Sequence, residues 1–501
     1  MAIPKILGTE TEYGIIGRYD PDFDPISRTL LLINSYQSDA PLASVWDYAQ
    51  ESQRFDPQAM ALDEFYEVPD QPDALSINKV LTNGARYYLD HAHPEYATPE
   101  CANLRDVVRY EKAGDRILDR SRSLAEQALA SGQQILVYKN NSDHKGNSYG
   151  YHENYLLDRN TPFRHIVEQF TPFLVTRQIF CGAGKVGAEN STEPVTYQIS
   201  QRADFFEAEV GLDTMVKRPL INTRDEPHAC REKYRRLHVI VGDANMSEYT
   251  LHLKVGATAL VLGMIEDQFI PRPFVLRDPV AAVKAISRDL TCQKPIVCED
   301  GRTISPLALQ WEYLTLAQRY CATFPVEPWV LDVLHRWEYV LGHLAYDPFT
   351  LARELDWVMK WRLLTSYMER HGESWESARL TMLDLQYHDI RRDKGLYYVL
   401  ERNDEVERIV SDAEIEDAIE APPEDTRAYL RGMCLKRFRH QVFSVSWDSL
   451  ALTLAEGDIK RIALEDPLQG TRAHIAEAIE TATSAAEFVA TLTEPHGIGS
   501  S

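Results

Sequence analysis

The chain has 501 residues and a formal charge of −23. That length leaves room for a well-buried core and two or three domains, while the acidic balance argues against a nucleic-acid partner, which requires a clustered cationic face. An ordinary apolar share and the lack of any fixed-period repeat exclude low-complexity and solenoid classes.

The opening MAIPKILGTETEYG holds one Lys and an acidic pair, unlike a secretory signal, and no apolar run approaches the roughly 20 residues of a membrane span. The seven cysteines, Cys101, Cys181, Cys230, Cys292, Cys298, Cys321 and Cys434, form no CxxC. An odd, scattered set suits free thiols in a reducing compartment, so the expectation is a cytoplasmic protein with no membrane contact.

Residues 5–16 (KILGTETEYGII) read as a strand whose period of two puts Glu10 and Glu12 on one face. Residues 38–78 hold nine acidic side chains against the single Arg54, with prolines at 41, 57, 69 and 72, the composition of a long acidic surface loop. Residues 85–91 (ARYYLDH) form the next strand, with Arg86, Tyr88 and Asp90 on one face and Tyr87 and Leu89 on the other. A helical pattern over 102–131 stops at Ser131-Gly132.

Strands are expected at 134–140, 148–157, 195–200, 237–243 and 249–258, with helices dominating from about 259 to 420, among them 305–324 and 350–371. The pair Pro422-Pro423 punctuates the chain, after which 436–454 reads as strand and 472–492 as a last helix. These patterns predict a large domain over 1–424 and a small one over 425–501. Strands grouped ahead of a helical block point to an α+β fold with an antiparallel-rich sheet.

Several segments carry chemistry. The glycine-rich 182-GAGKVG-187 is not a Walker loop, since Val186 stands where Ser or Thr would bind magnesium. His91 and His93, with Asp90 and Glu95, allow a zinc site to be drawn, but Pro94 breaks strand geometry between them. Glu10, Glu12, Glu95, Glu100 and Asp90 are hard oxygen ligands suited to magnesium, the alternative being a half-exposed strand with its carboxylates in water.

His152 and His238 lie in strand-like segments with apolar neighbours, where a core imidazole is the more frequent outcome. Arg202, Arg224 and the Arg235-Arg236 pair suit phosphate or carboxylate, or plain surface ion pairs. Trp447 in SVSWDSL reads as a strand aromatic, either filling a core or stacking on an adenine ring.

Taken together, GTETEYG, NGARYYLDHAHPEYATPEC, NNSDHKGNSYGYHENY, VTRQIFCGAGKV, INTRDEPHA, KYRRLHVIVGDANMSE and SVSWDSL resemble the Pup ligase/depupylase family, relatives of glutamine synthetase, in blocks running in order from residue 7 to about 475. The resemblance implies a glutamine-synthetase-like large domain, whose curved antiparallel sheet, backed by helices, cradles ATP and magnesium, with a small C-terminal α/β domain alongside. Position by position it implies magnesium binding at Glu10, Tyr88 and Glu95, further metal or phosphate contacts at His152 and His238, ATP contacts at Arg86, Thr98 and Trp447, and a catalytic aspartate at Asp90.

One branch of that family ligates the C-terminal Glu of Pup, a small disordered modifier, to substrate lysines. The other deamidates Pup's C-terminal Gln and cuts the isopeptide bond of pupylated proteins. The acidic insertion at 38–78 and the spacing from Asp90 to Glu95, one residue tighter than the ligase pattern, resemble the hydrolytic branch. The resemblance then implies Mg-ATP as a bound cofactor, Asp90 as general base or nucleophile, Arg224 as an oxyanion candidate, and Pup, pupylated proteins and the proteasomal ATPase as partners. The alternatives are a ligase of the same family and an ATP-binding scaffold without turnover.

Overall fold

In the computed structural model, which describes residues 2–36, 45–46, 78–190, 192–212, 217–225, 227–455 and 457–492, the alternating carboxylates of the first strand line one face of a sheet. Six strands build it: β1 (Leu7–Glu12), β2 (Asn78–Val80), β3 (Arg86–Asp90), β4 (His93–Ala97), β5 (Tyr151–Asp158) and β6 (Tyr234–Val239). Their order is β6-β5-β1-β4-β3-β2, and every neighbouring pair is antiparallel.

Register decides what meets on the open face. Glu10 stands opposite Ala97 on one side and His152 on the other, Glu12 opposite Glu95, Tyr88 opposite Glu95, and Asp90 opposite His93. Since side chains alternate across a strand, the rear face collects Leu7, Tyr87, Tyr96, Tyr155 and Leu237, all buried.

Helix α1 (Leu104–Glu126), capped by Asn103 accepting from the Asp106 N–H, covers that rear face. It lies close, because Gly114 faces Tyr96: a Cβ there would come within 2.4 Å of the ring. Behind it pack α2 (Phe163–Cys181) and α3 (Glu248–Glu266). The charges enclosed in this layer are paired, as burial demands: Glu153 with Arg177 at 2.6 Å and Lys139 with Glu111 at 2.8 Å.

A second hydrophobic cluster, separate from the first, is built on α4 (Ala428–Arg437), β7 (Val442–Val445), β8 (Ser449–Ala455) and β9 (Asp458–Ala463) with the helices Arg472–Thr481 and Ala485–Leu492. The strand Val45–Trp46 joins its sheet parallel to β7, and Trp46 is buried in the cluster.

Several elements depart from the sequence patterns. The run 5–16 is two strands, because buried Tyr13 turns its hydroxyl to Asp115 Oδ1 at 2.7 Å and Gly14–Arg18 then pairs with Gln134–Tyr138 instead. Residues 249–258 are the first half of α3, not a strand: nearly every side chain of that helix is buried, so no apolar stripe marks its period, but Ser247 caps it by accepting from the Thr250 N–H. The strand at 195–200 shrinks to Tyr197–Gln198, and the helix at 350–371 begins at Asp356.

Helices Pro25–Ser35 and Phe163–Cys181 carry no counterpart in the sequence reading. Pro94 does not break β4. It sits next to the strand's first residue, where its missing N–H costs no ladder bond. The acidic 38–78 segment lies outside the described residues except for Val45–Trp46 and Asn78. The seven cysteines are all free, and no helix among the described residues is long and apolar enough to cross a membrane.

Candidate active site

The open face of the sheet is the floor of a polar cleft. Glu10, Glu12, Tyr88, Asp90, Glu95, His152 and His238 line it, together with residues 146–148 and with Arg202, Arg218 and Arg224. Within it two sets of donor atoms, Glu10 with His152 and His238, and Glu12 with Asp90 and Glu95, each lie within 4.8 Å of one another.

The first set is wired by hydrogen bonds that leave one nitrogen bare. Asn154 donates its Nδ2–H to Glu10 Oε1 at 2.8 Å, so its Oδ1 is free to accept from His238 Nδ1 at 3.0 Å. With its proton on Nδ1, His238 carries a lone pair on Nε2, which is buried without a hydrogen-bond partner among the described residues. An imidazole that donates through one nitrogen to an amide oxygen and presents the other to a polar cleft is the arrangement of a metal ligand. Burial, the largest influence on His238, pushes its pKa well down and keeps the ring neutral, as ligation requires. Burial raises the Glu10 pKa, but the hydrogen bond from His152 at 3.2 Å and the charge of Arg236, 3.6 Å away, outweigh it and hold the carboxylate ionised.

The second set offers oxygen only. Glu95 is pushed well up, first by burial and then by the neighbouring charges of Glu12, Asp90 and Glu10, although the Tyr88 hydroxyl hydrogen-bonds to it. Burial also raises Glu12, yet the His93 hydrogen bond and the field of His152 bring it down to about 2. So many carboxylates on one buried face demand cations, and an all-oxygen set of this kind fits magnesium.

Asp90 closes the strand at the cleft's edge. Its Oδ2 lies 3.0 Å from His91 Nδ1, and this bond raises the His91 pKa. His93 faces the cleft, with Nδ1 3.5 Å from Glu12 and its ring against Tyr149. The two histidines of the HxH therefore diverge and do not converge on one zinc ion.

An apolar pocket adjoins the cleft and shares Glu10 with it. Gly8, Ala97, Thr98, Pro227, His228, Trp447 and Pro467 are among its walls. Thr98 is fixed by accepting from the Thr9 N–H at 3.0 Å. Trp447 belongs to the turn between β7 and β8 rather than to a strand, with its ring 5.5 Å from Trp46 and 4.9 Å from the Arg431 guanidinium.

Of the residues singled out in the sequence, Glu10, Tyr88, Asp90, Glu95, His152, His238 and the exposed Arg224 meet in the cleft, while Thr98 and Trp447 meet in the pocket. Arg86 lies between the Trp46 and Tyr88 rings, 4.0 Å from each, and donates to Asn78 Oδ1 at 2.7 Å. Glu100 is no cleft ligand: Arg427 Nε at 2.6 Å and Arg431 hold it at the wall of the adjoining apolar pocket. Arg202 is buried and donates to backbone carbonyls such as that of Gly242 at 3.3 Å, a structural use. The family resemblance names no ligand role for Glu12, but strand alternation and the carboxylate set read from the sequence include it, and the structure places it beside Asp90 and Glu95.

The chain matches the family model "Pup-ligase protein" over residues 5–451. It is 46% identical over 499 residues to the depupylase of Acidothermus cellulolyticus, covering 98% of this chain and 99% of that protein. To the Pup deamidase/depupylase of Mycolicibacterium smegmatis it is 42% identical over 497 residues, covering 98% and 99%. Among solved structures, the complex between prokaryotic ubiquitin-like protein Pup and its ligase PafA superposes with a TM-score of 0.80 at 34% identity, covering 98% of this chain and 94% of that one.

Proposed function

The chain belongs to the Pup-ligase protein family, and from that premise we propose that it is a hydrolase that deamidates the C-terminal Gln of Pup and cleaves the isopeptide bond of pupylated proteins. One observation carries this over the ligase reading: relatives named as depupylases match over 98% of the chain, whereas relatives named as Pup–protein ligases, at similar identities of 42–44%, match over 80–81% of it. The α+β fold, with helices behind an antiparallel sheet, supports it.

Glu12 and Glu95 would hold one magnesium ion, with Tyr88 bonded to Glu95, and Glu10 with His152 and His238 would hold a second cation. Arg86, Thr98 and Trp447 would hold ATP, its base in the apolar pocket. When bound, the cation and nucleotide phosphate polarise the substrate carbonyl. Asp90 either takes the proton of the attacking water and passes it to the departing nitrogen, or attacks the carbonyl itself; in the second case the C–N bond breaks to a mixed anhydride with Pup as ammonia or the lysine amine leaves with a proton from solvent, and water then splits the anhydride into two carboxylates. Arg224, exposed at the cleft, neutralises the developing oxyanion. Hydrolysis of an amide is downhill, so ATP serves as a bound cofactor, not as fuel.

The reading extends to a cytoplasmic enzyme that meets the proteasomal ATPase, with residues 425–501 as a small domain beside the catalytic one. Purified protein mixed with a Pup conjugate and Mg-ATP is expected to release free Pup on a gel. New conjugates formed from Pup ending in Glu would make it a ligase instead. Asp90→Asn is expected to abolish release while leaving ADP affinity unchanged, and full activity in that variant would remove Asp90 from the chemistry.

A further inference from the structure

His91 holds a backbone conformation that its residue type resists. The turn His91–Ala92 joins β3 to β4, and His91 sits in it at φ +53°, the left-handed region that glycine enters freely and other residues enter at a cost. A strained non-glycine residue persists where its side chain is needed. Core packing is not the need here, because half of the imidazole is exposed.

What the ring does is bond the neighbouring carboxylate. His91 Nδ1 is 3.0 Å from Asp90 Oδ2, and a carboxylate only accepts, so Nδ1 carries the proton. Among the described residues no other side chain hydrogen-bonds Asp90, whose side chain is 37% exposed at the end of its strand. Without a partner such a carboxylate turns freely about its last bond.

We propose that His91 is a positioning residue: its Nδ1–H pins one oxygen of Asp90 and so aims the other at the substrate carbonyl. This rests on reading Asp90 as the reacting carboxylate. His93 has no share in the role, since its ring lies against Tyr149 and its Nδ1 faces Glu12 at 3.5 Å. The position therefore keeps a residue that the turn disfavours because the adjoining side chain needs an orienting donor.

Two variants test it. His91→Gly relieves the backbone and removes the donor, whereas His91→Asn tolerates the left-handed region and still offers an amide N–H. For His91→Gly the expected result is an unchanged or raised Tm, unchanged KM for the Pup conjugate and unchanged Kd for ADP, with kcat lowered about tenfold or more, the scale of effect a misaimed reacting group produces. His91→Asn is expected to recover part of that kcat. A kcat equal to wild type in His91→Gly, or a loss of kcat matched by losses of Tm and ADP affinity, overturns the proposal. If wild type forms conjugates instead of releasing Pup, the hydrolytic reading falls, and the same kcat comparison in the ligation reaction still judges His91.

Discussion

Glu95 and Glu100 stand close in sequence, yet the fold gives them opposite electrostatics. Glu95 meets other carboxylates in a buried cleft and its pKa rises. Glu100 is also raised by burial, but Arg431 and Arg427 more than reverse this and hold it down at about 2, against 4.5 for an ordinary glutamate. A depressed folded pKa contributes stability that is fully present above the unfolded value and lost as pH falls toward the folded one. Glu100→Gln is thus expected to lower stability at neutral pH by about 3 kcal/mol, since it leaves two buried guanidinium groups without their counter-charge. Denaturant titrations should show the gap to wild type narrowing as pH drops from 4.5 toward about 2, and a pH-independent gap would contradict the ion-pair account. Strand alternation was enough to put Arg86, Tyr88 and Asp90 on one face. It could not reveal that Glu100 is taken by arginines 327 and 331 positions away, because nothing local records that pairing.

At the scale of elements, what was legible depended on whether a segment shows water one side. Strands β1 and β3 border the cleft, so their charged residues stand at even spacings, Glu10 and Glu12 on one and Arg86 and Asp90 on the other, and a period of two can be read. Helix α3 is enclosed on all sides, and the alternation of apolar and polar residues in its start, YTLHLKV, imitates a strand. The break at Tyr13 arises from a partner on α1, which no window of neighbours contains. The seating of α1 yields a prediction: Gly114→Ala places a methyl 2.4 Å from the Tyr96 ring, so the helix or the ring must shift. The expected cost is about 1–3 kcal/mol of overpacking, read as a lower denaturation midpoint at unchanged m-value. An unchanged midpoint would mean the layer is more compliant than its packing implies.

Across the whole molecule, the apolar pocket draws its walls from both hydrophobic units: Gly8, Ala97 and Thr98 from the first sheet, Trp447 and Pro467 from the C-terminal one. A nucleotide seated there ties the two together. ADP with magnesium is expected to stabilise the protein by about 2.7 kcal/mol at a hundredfold excess over Kd, visible as a rise in Tm. Trp447→Ala is expected to lose most of that rise while its ligand-free Tm changes less, and an undiminished rise would move the nucleotide elsewhere. The α+β class was legible from the grouping of strands ahead of helices. The pairing of Val45–Trp46 with β7 was not, because it joins distant parts of the chain and leaves no periodic trace.

Trp46 and Trp447 stand edge to face, 5.5 Å apart, each with a guanidinium group against its ring. Two indoles so close are coupled chromophores, and one of them lines the apolar pocket. The chain therefore carries its own optical probe: in a variant whose other six tryptophans are replaced by Phe, emission from this pair is expected to change when a base enters the pocket or the Val45–Trp46 strand leaves its place, with no label attached.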